Sequence, residues 1–167
     1  MRTAGLILIA ALAVTGCARA PVDGGIGGLS GNGTDDFASG GANDPTSVAY
    51  FQQNVGDRVL FQVDQATVTQ EGRNVLSGQA RWLNANPEYT ALIEGHADEQ
   101  GTREYNLALG GRRANAVRDF LVSQGVGQGR MRTISYGKER PLQICSTEEC
   151  YSQNRRAVTV LATGAGV

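Results

Sequence analysis

One histidine, His96, is all the imidazole that this 167-residue chain has, and neither an HExxH nor a GxSxG motif occurs in it. A His-rich zinc centre and a hydrolase nucleophile elbow are therefore excluded. No block of like charge exists either: 15 Lys and Arg stand against 16 Asp and Glu, for a formal charge of -1. A chain so balanced lacks the electrostatic footprint of a nucleic-acid binder. The apolar run from Ala4 to Val14 covers 11 residues, too few to span a bilayer. There is no internal repeat. With 41% hydrophobic residues, the length suffices for one ordinary domain with a core and some extra chain, and not for two.

What is present begins with an export signal over residues 1–16. Arg2 gives a positive start, the apolar run follows, and "LAVTGC" ends it. A small-residue cleavage site directly before Cys17 resembles a bacterial lipobox, in which the thiol of Cys17 receives a diacylglycerol and becomes the first mature residue. An ordinary signal peptide with an incidental cysteine is the plainer alternative. Setting Cys17 aside leaves Cys145 and Cys150, an even pair in an oxidising compartment, and the short loop "CSTEEC" is expected to close as a disulfide. So small a loop contributes at most roughly 2 kcal/mol, enough to pin a local turn and not to hold up the fold. A two-thiol metal site competes with this, but no histidine lies nearby to complete it.

Residues 17–45, rich in Gly, Ser, Asn and Asp, bury too little to offset their ordering and are expected to form a flexible tether. Its root-mean-square span would be roughly 30 Å, and its full reach about 90 Å. A folded domain is expected over 46–167. "PTSVAYFQQNVG" predicts a short helix and "DRVLFQV" a strand, followed by a helix from Gln70 to Asn84 with Val75, Leu76, Trp82 and Leu83 on one face. "YTALIEG" is the second strand. The longest helix runs from Thr102, its N-cap, to Gln124, with Gly125 as its stop. "RMRTISYG" and "RAVTVLA" give two more strands, with a helical turn in "TEECYSQN" between them. This alternation predicts an α+β domain with one mixed sheet and helices packed on it.

On the wheel of the long helix, Leu107, Leu109, Ala114, Val117, Phe120 and Leu121 span one arc, and Asn106 and Arg113 fall inside it. Arg112 points outside. A charge within an apolar stripe needs a partner, so Arg113 either makes a structural ion pair, snorkels to solvent, or serves a ligand. Asp98 lies in a turn-forming loop (Gly95, Asp98, Gly101) before that helix, and Asp64 follows the first strand. If those strands are neighbours, two acids face one arginine fork. Such a bipolar pocket suits a ligand with an ammonium and a carboxylate, the acids receiving the first and the guanidinium gripping the second. Asp98 and Arg113 supply no core volume in this picture, so replacing either with alanine would leave the fold intact. His96 is open to three roles: catalytic base, metal ligand with Glu94 and Asp98 by strand period, or a hydrogen-bonding shaper of its loop. The pair Arg155 and Arg156 in "QNRRAVTV" is open to a solvated or strand-flanking role or to ligand contact.

"EGHADEQGTREYNLALGGRRANAVRDFL", "SYGKERP" and "QNRRAV" together resemble the OmpA-like peptidoglycan-binding domain over residues 55–162. With a lipobox and a tether in front, the chain is similar to the peptidoglycan-associated lipoprotein (Pal) family of Gram-negative bacteria. The resemblance implies a β-α-β-α-β-β sandwich that binds, without chemistry or cofactor, the meso-diaminopimelate of the peptidoglycan stem peptide. By position it assigns ligand contacts to Asp64, Asp98 and Arg113, further pocket roles to Asn106 and Leu109, and loop roles to Gly95, His96 and Ala97. It implies a lipid anchor in the outer membrane, facing the periplasm, with Ala18 after Cys17 fitting release to that membrane. It further implies a part in the Tol-Pal system, envelope integrity and cell division, with a TolB-like periplasmic β-propeller and other Tol proteins as partners. Gln100, where a basic residue is common, Gly111, where Glu is common, and Val63 depart from the pattern. A peptidoglycan hydrolase or amidase, and a structural tether with a vestigial pocket, are the alternative functions.

Overall fold

A computed structural model of the chain describes residues 41–164, so the expected leader, Cys17 and most of the expected tether lie outside the described residues. The elements are α1 (Val48–Tyr50), continued by a π-helical turn (Phe51–Gly56), β1 (Arg58–Leu60), α2 (Gln70–Ala85), β2 (Tyr89–His96), α3 (Arg103–Ser123), a 3-10 turn (Gln128–Arg130), β3 (Met131–Gly137), α4 (Glu148–Asn154) and β4 (Arg156–Thr163). They build the α+β, mixed-sheet architecture that the alternation predicts. The strand order is β1-β4-β2-β3: β3 runs parallel to β2 across the α3 crossover, and β4 is antiparallel to both of its neighbours. Hence β1 and β2 are not adjacent; β4 lies between them.

Local chemistry sets the helix ends. Thr69 Oγ1 accepts from Gly72 N at 3.1 Å and Thr102 Oγ1 from Tyr105 N at 3.2 Å, satisfying donors that the first turn leaves free. Gly125, at φ +90°, stops α3 in the left-handed conformation that a β-carbon disfavours. One sheet face is covered: Leu76 and Leu83 of α2, and Val117 and Leu121 of α3, pack with Ala91 and Ile93 of β2 and Ala157 of β4. Burying a side chain of this size contributes about 1.5 to 3 kcal/mol. The other face leaves Leu60, Ile134 and Val160 exposed. Leu107, placed by the wheel in the apolar arc, is 45% exposed, and Phe120 only half-buried, because the true stripe is narrow and centred on Asn106, Leu109, Arg113, Val117 and Leu121.

Two glycines bring α3 unusually close to β2. A β-carbon at Gly95 would overlap the carbonyl of Gly110, and one at Gly110 would lie 2.8 Å from the carbonyl oxygen of Gly95. The approach holds the first two turns of α3 over the end of β2.

Residues 41–45, tether by composition, are tied to the domain. Ser47 Oγ donates to Gly41 O at 2.9 Å, Asn54 Nδ2 to Ala42 O at 3.1 Å and Trp82 Nε1 to Pro45 O at 2.7 Å. Tyr89 OH reaches Thr46 O at 3.0 Å. Tyr89 begins β2, so the chain enters at the end of that strand opposite His96, about 23 Å away at the usual rise per residue.

Candidate functional site

At its last residue β2 loses register with β3, between Gly95 and His96, and Ala97 N donates to Gly137 O at 2.8 Å. The chain then turns. Gln100 N donates to Asp98 Oδ1 at 3.3 Å, the side chain imitating a backbone turn, and Gly101 at φ +90° completes it. From α3, Asn106 Nδ2 donates to Asp98 O at 3.2 Å and Gln100 O at 2.7 Å. The polar residue in the apolar stripe thus holds the loop that precedes its own helix.

Arg113 performs the same task on a larger scale. Fully buried, it donates from Nε to Gln65 O at 2.8 Å, from Nη1 to His96 O at 2.8 Å and from Nη2 to Gln62 O at 3.1 Å. Its guanidinium also lies 5.2 Å from the Phe61 ring centroid. The ion pair with an acid and the reach to solvent are both replaced: three of its five N–H donors go to backbone carbonyls. The carbonyls of Gln62 and Gln65 belong to a segment that leaves the sheet after Leu60, with Asp64 at φ +56°. This is why β1 is three residues long and not the seven of "DRVLFQV". Arg113 is also the largest fully buried side chain, so the expectation that Arg113→Ala would spare the fold is overturned. Burial pulls its pKa down to about 10, against the pull of Asp98 and Asp64, which raise it.

Between the two loops opens a cleft of about 230 Å³. Asp64, Asp98, Asn106, Leu109 and Arg113 line it, which brings five of the residues singled out by sequence into one wall. Gln100, Gly101, Val63 and Tyr105 complete it, so two of the three departures from the family pattern, Gln100 and Val63, border the cleft; the third, Gly111, does not. His96 and Ala97 are buried and are not part of the wall. They serve it from behind, His96 through its carbonyl on Arg113. The His96 ring lies beside Tyr136, with centroids 5.6 Å apart, and 3.5 Å from a Glu94 carboxylate oxygen. Neither ring nitrogen has a hydrogen-bond partner among the described residues. Burial, then Arg156 and Arg140, lower its pKa to about 4, so the ring is neutral at ordinary pH. Because the strand period breaks at Gly95, Asp98 does not share a strand face with Glu94 and His96. Among the described residues no group of three His, Cys, Asp or Glu is placed to hold a metal ion.

Two further residues serve the site: Arg155, whose role the sequence leaves open, and Tyr105, which sequence reasoning missed. Arg155 is buried and donates from Nη1 to Asp98 Oδ2 at 3.1 Å, from Nε to Phe61 O at 3.2 Å and from Nη2 to Glu148. Burial pulls its pKa down, but the bonds to Glu148 and Asp98 outweigh that and leave it raised. Arg156 points elsewhere, beside the Arg140 carbonyl at 3.2 Å. The available signal was the spacing of Glu148, at the start of α4, and Arg155, the residue that caps its end, seven residues on. Tyr105 donates its hydroxyl to Asp64, and its ring carries Arg112 at 5.9 Å. Tyr105, Leu109 and Arg113 stand four apart on one face of α3, and that period could have revealed it.

A mixed four-stranded sheet with helices on one face and an acid-lined cleft at the β2–α3 loop defines the OmpA-like class of α+β domains. The family model described as "OmpA family" matches residues 60–155. A peptidoglycan-associated lipoprotein of Brucella melitensis is 52% identical over 161 residues, 96% of this chain and 92% of that protein. One of Mesorhizobium japonicum is 50% identical over the same shares. The crystal structure of the peptidoglycan-associated lipoprotein from Burkholderia pseudomallei superposes with a TM-score of 0.65 at 40% identity, covering 72% of this chain and 98% of that one. The C-terminal domain of Helicobacter pylori MotB, at 20% identity and a TM-score of 0.60, shares the fold. The chain belongs to the OmpA family, within its branch of peptidoglycan-associated lipoproteins.

Proposed function

We propose that the protein binds peptidoglycan non-covalently, taking the free end of a meso-diaminopimelate residue into the cleft of Asp64, Asp98 and Arg113. The observation that carries this reading is the juxtaposition of two carboxylates with a guanidinium at one wall of an open cleft. A guanidinium has five N–H donors, of which Arg113 uses three on carbonyls, leaving two for a ligand carboxylate. The acids receive the ligand ammonium; Asp98 is held by Arg155 and Asp64 by Tyr105, and each carboxylate keeps acceptor capacity beyond those bonds. Among the described residues the histidine is buried and does not line the cleft, and the two cysteines are paired, which supports a binding role over a catalytic one. The module is a binder and not an enzyme.

Residues 1–16 are a lipoprotein signal, Cys17 carries the lipid, and the glycine-rich stretch before the domain is the tether. The anchor is in the outer membrane and the domain faces the periplasm. In this arrangement the protein ties the outer membrane to the cell wall as part of the Tol-Pal system, with a TolB-like β-propeller among its partners, and supports envelope integrity and division. Each contact is modest, with charge-assisted hydrogen bonds of roughly 1.5 to 3 kcal/mol less the ordering they require, so many copies act together.

The test is to incubate the full chain with purified sacculi, sediment them, and assay both the pellet and the fragments released. Co-sedimentation without release is expected. Release of fragments would favour a hydrolase or amidase, and no co-sedimentation would leave a tether with a vestigial pocket.

A further inference from the structure

The disulfide Cys145–Cys150 encloses Glu148, and Glu148 leads to the cleft. Its carboxylate accepts from Nη2 of Arg155 and, at 3.3 Å, from Nη1; the same Nη1 holds Asp98 Oδ2 at 3.1 Å. One buried guanidinium therefore connects a cleft carboxylate to a residue inside the disulfide ring. The two ends of α4 are secured differently. At its C-terminal end Asn154 is fully buried, accepting from Leu142 N at 2.8 Å and Gln143 N at 3.0 Å and donating to Glu99 Oε1 at 2.8 Å. At its N-terminal end residues 141–149 are exposed, and Thr147 makes no side-chain cap. A seven-residue helix has little stability of its own, so its first turn depends on what ties it down. There the tie is the disulfide.

We propose that the Cys145–Cys150 loop is a redox-sensitive clasp that positions Asp98 through Glu148 and Arg155, so that reducing the disulfide loosens the grip of the cleft on its zwitterionic ligand. The proposal rests on the cleft reading above. Arg155 and Glu148 are positioning residues; neither lines the cleft. The chemistry is thiol-disulfide exchange with a dithiol reductant. One reductant thiolate attacks a sulfur of the pair and the other then displaces it, so the Cys145–Cys150 bond breaks, both cysteines end as thiols, and the reductant leaves as its own disulfide with two electrons given up. Cys145 is exposed and open to attack. Freed, the first turn of α4 frays and takes Glu148 with it. Arg155 keeps Phe61 O but loses the second carboxylate that fixes its plane, and Asp98 gains freedom. Because the Glu148 side chain is 62% exposed, the loss is modest, on the order of two- to fivefold in affinity.

The experiment measures fluorescence anisotropy of a labelled diaminopimelate-containing muropeptide titrated with the full chain, oxidised and then reduced with dithiothreitol, thiol labelling confirming each state. Reduction should weaken binding, and reoxidation should restore it. The doubly substituted chain, C145S with C150S, should match the reduced wild type and ignore the reductant. Glu148→Gln should bind at the weakened level in either state. Equal affinity of oxidised and reduced wild type overturns the proposal, as does a full response to reduction in Glu148→Gln. A reduced chain without a cooperative urea transition also overturns it, since the effect would then be unfolding. If the oxidised chain fails to bind at all, the cleft reading falls first and the clasp with it.

Discussion

Nη1 of Arg113 donates to the carbonyl oxygen of His96 at 2.8 Å, fastening the long helix to the end of the strand beneath it. Two more carbonyls, of Gln62 and Gln65, complete the seat. Arg113→Ala therefore removes a fully buried side chain and leaves three acceptors without their donor. The expected loss is about 3 kcal/mol or more in urea unfolding, together with loss of ligand binding. Arg112→Ala, at an exposed position, is expected to change stability by less than about 0.5 kcal/mol.

Tyr105→Phe separates binding from folding. The ring remains while the hydroxyl that donates to Asp64 is removed. Stability is expected to change by less than about 1 kcal/mol, because the residue is 43% exposed. Muropeptide affinity is expected to change at least severalfold, since Asp64 loses the donor that orients it. Paired urea melts and binding titrations check both halves.

Acid should act through His96. An ordinary imidazole has a pKa of 6.5, and burial with Arg156 and Arg140 lowers this one to about 4. The folded state thus holds the ring neutral while the unfolded chain takes up the proton first. The stability involved is fully present above pH 6.5 and drains away as the pH falls from there toward about 4, a loss of about 3 kcal/mol. Urea midpoints of wild type and His96→Gln across that range are the measurement. The wild type should fall more steeply, and equal slopes would contradict the assignment.

Gly95→Ala tests the close approach of α3 and β2. Its methyl group would meet the Gly110 carbonyl, and the backbone on both sides would have to move. A loss of about 1 to 3 kcal/mol is expected in urea unfolding. Binding should weaken as well, since the loop from Ala97 to Gly101 is carried on that contact.

How far the sequence could be read follows from the range of each interaction. Thr102 as cap, Gly125 as stop and the charge in the stripe at Arg113 are local features, visible at helical period and observed in the structure. What Arg113 holds was not visible, because its partners are carbonyls 17 to 51 residues away and a backbone carbonyl carries no residue identity. The early end of β1 follows from the same long-range bonds. Strand order was equally hidden: Asp64 and Asp98 come to one cleft although β4 separates their strands. Arg155 and Arg156 looked alike as neighbours in "QNRR", yet the turn into β4 sends one to Asp98 and the other to Arg140.

The central claim is that the cleft selects a residue end bearing both an ammonium and a carboxylate. It is tested most directly by titrating the full chain with two muropeptides that differ only at the third stem residue, meso-diaminopimelate or lysine, the latter keeping the ammonium and lacking the carboxylate. The diaminopimelate form should bind at least about tenfold more tightly, the worth of one charge-assisted hydrogen bond, and Asp98→Ala, which removes an acceptor for the ammonium that both forms share, should weaken both. Equal affinity for the two would contradict the account.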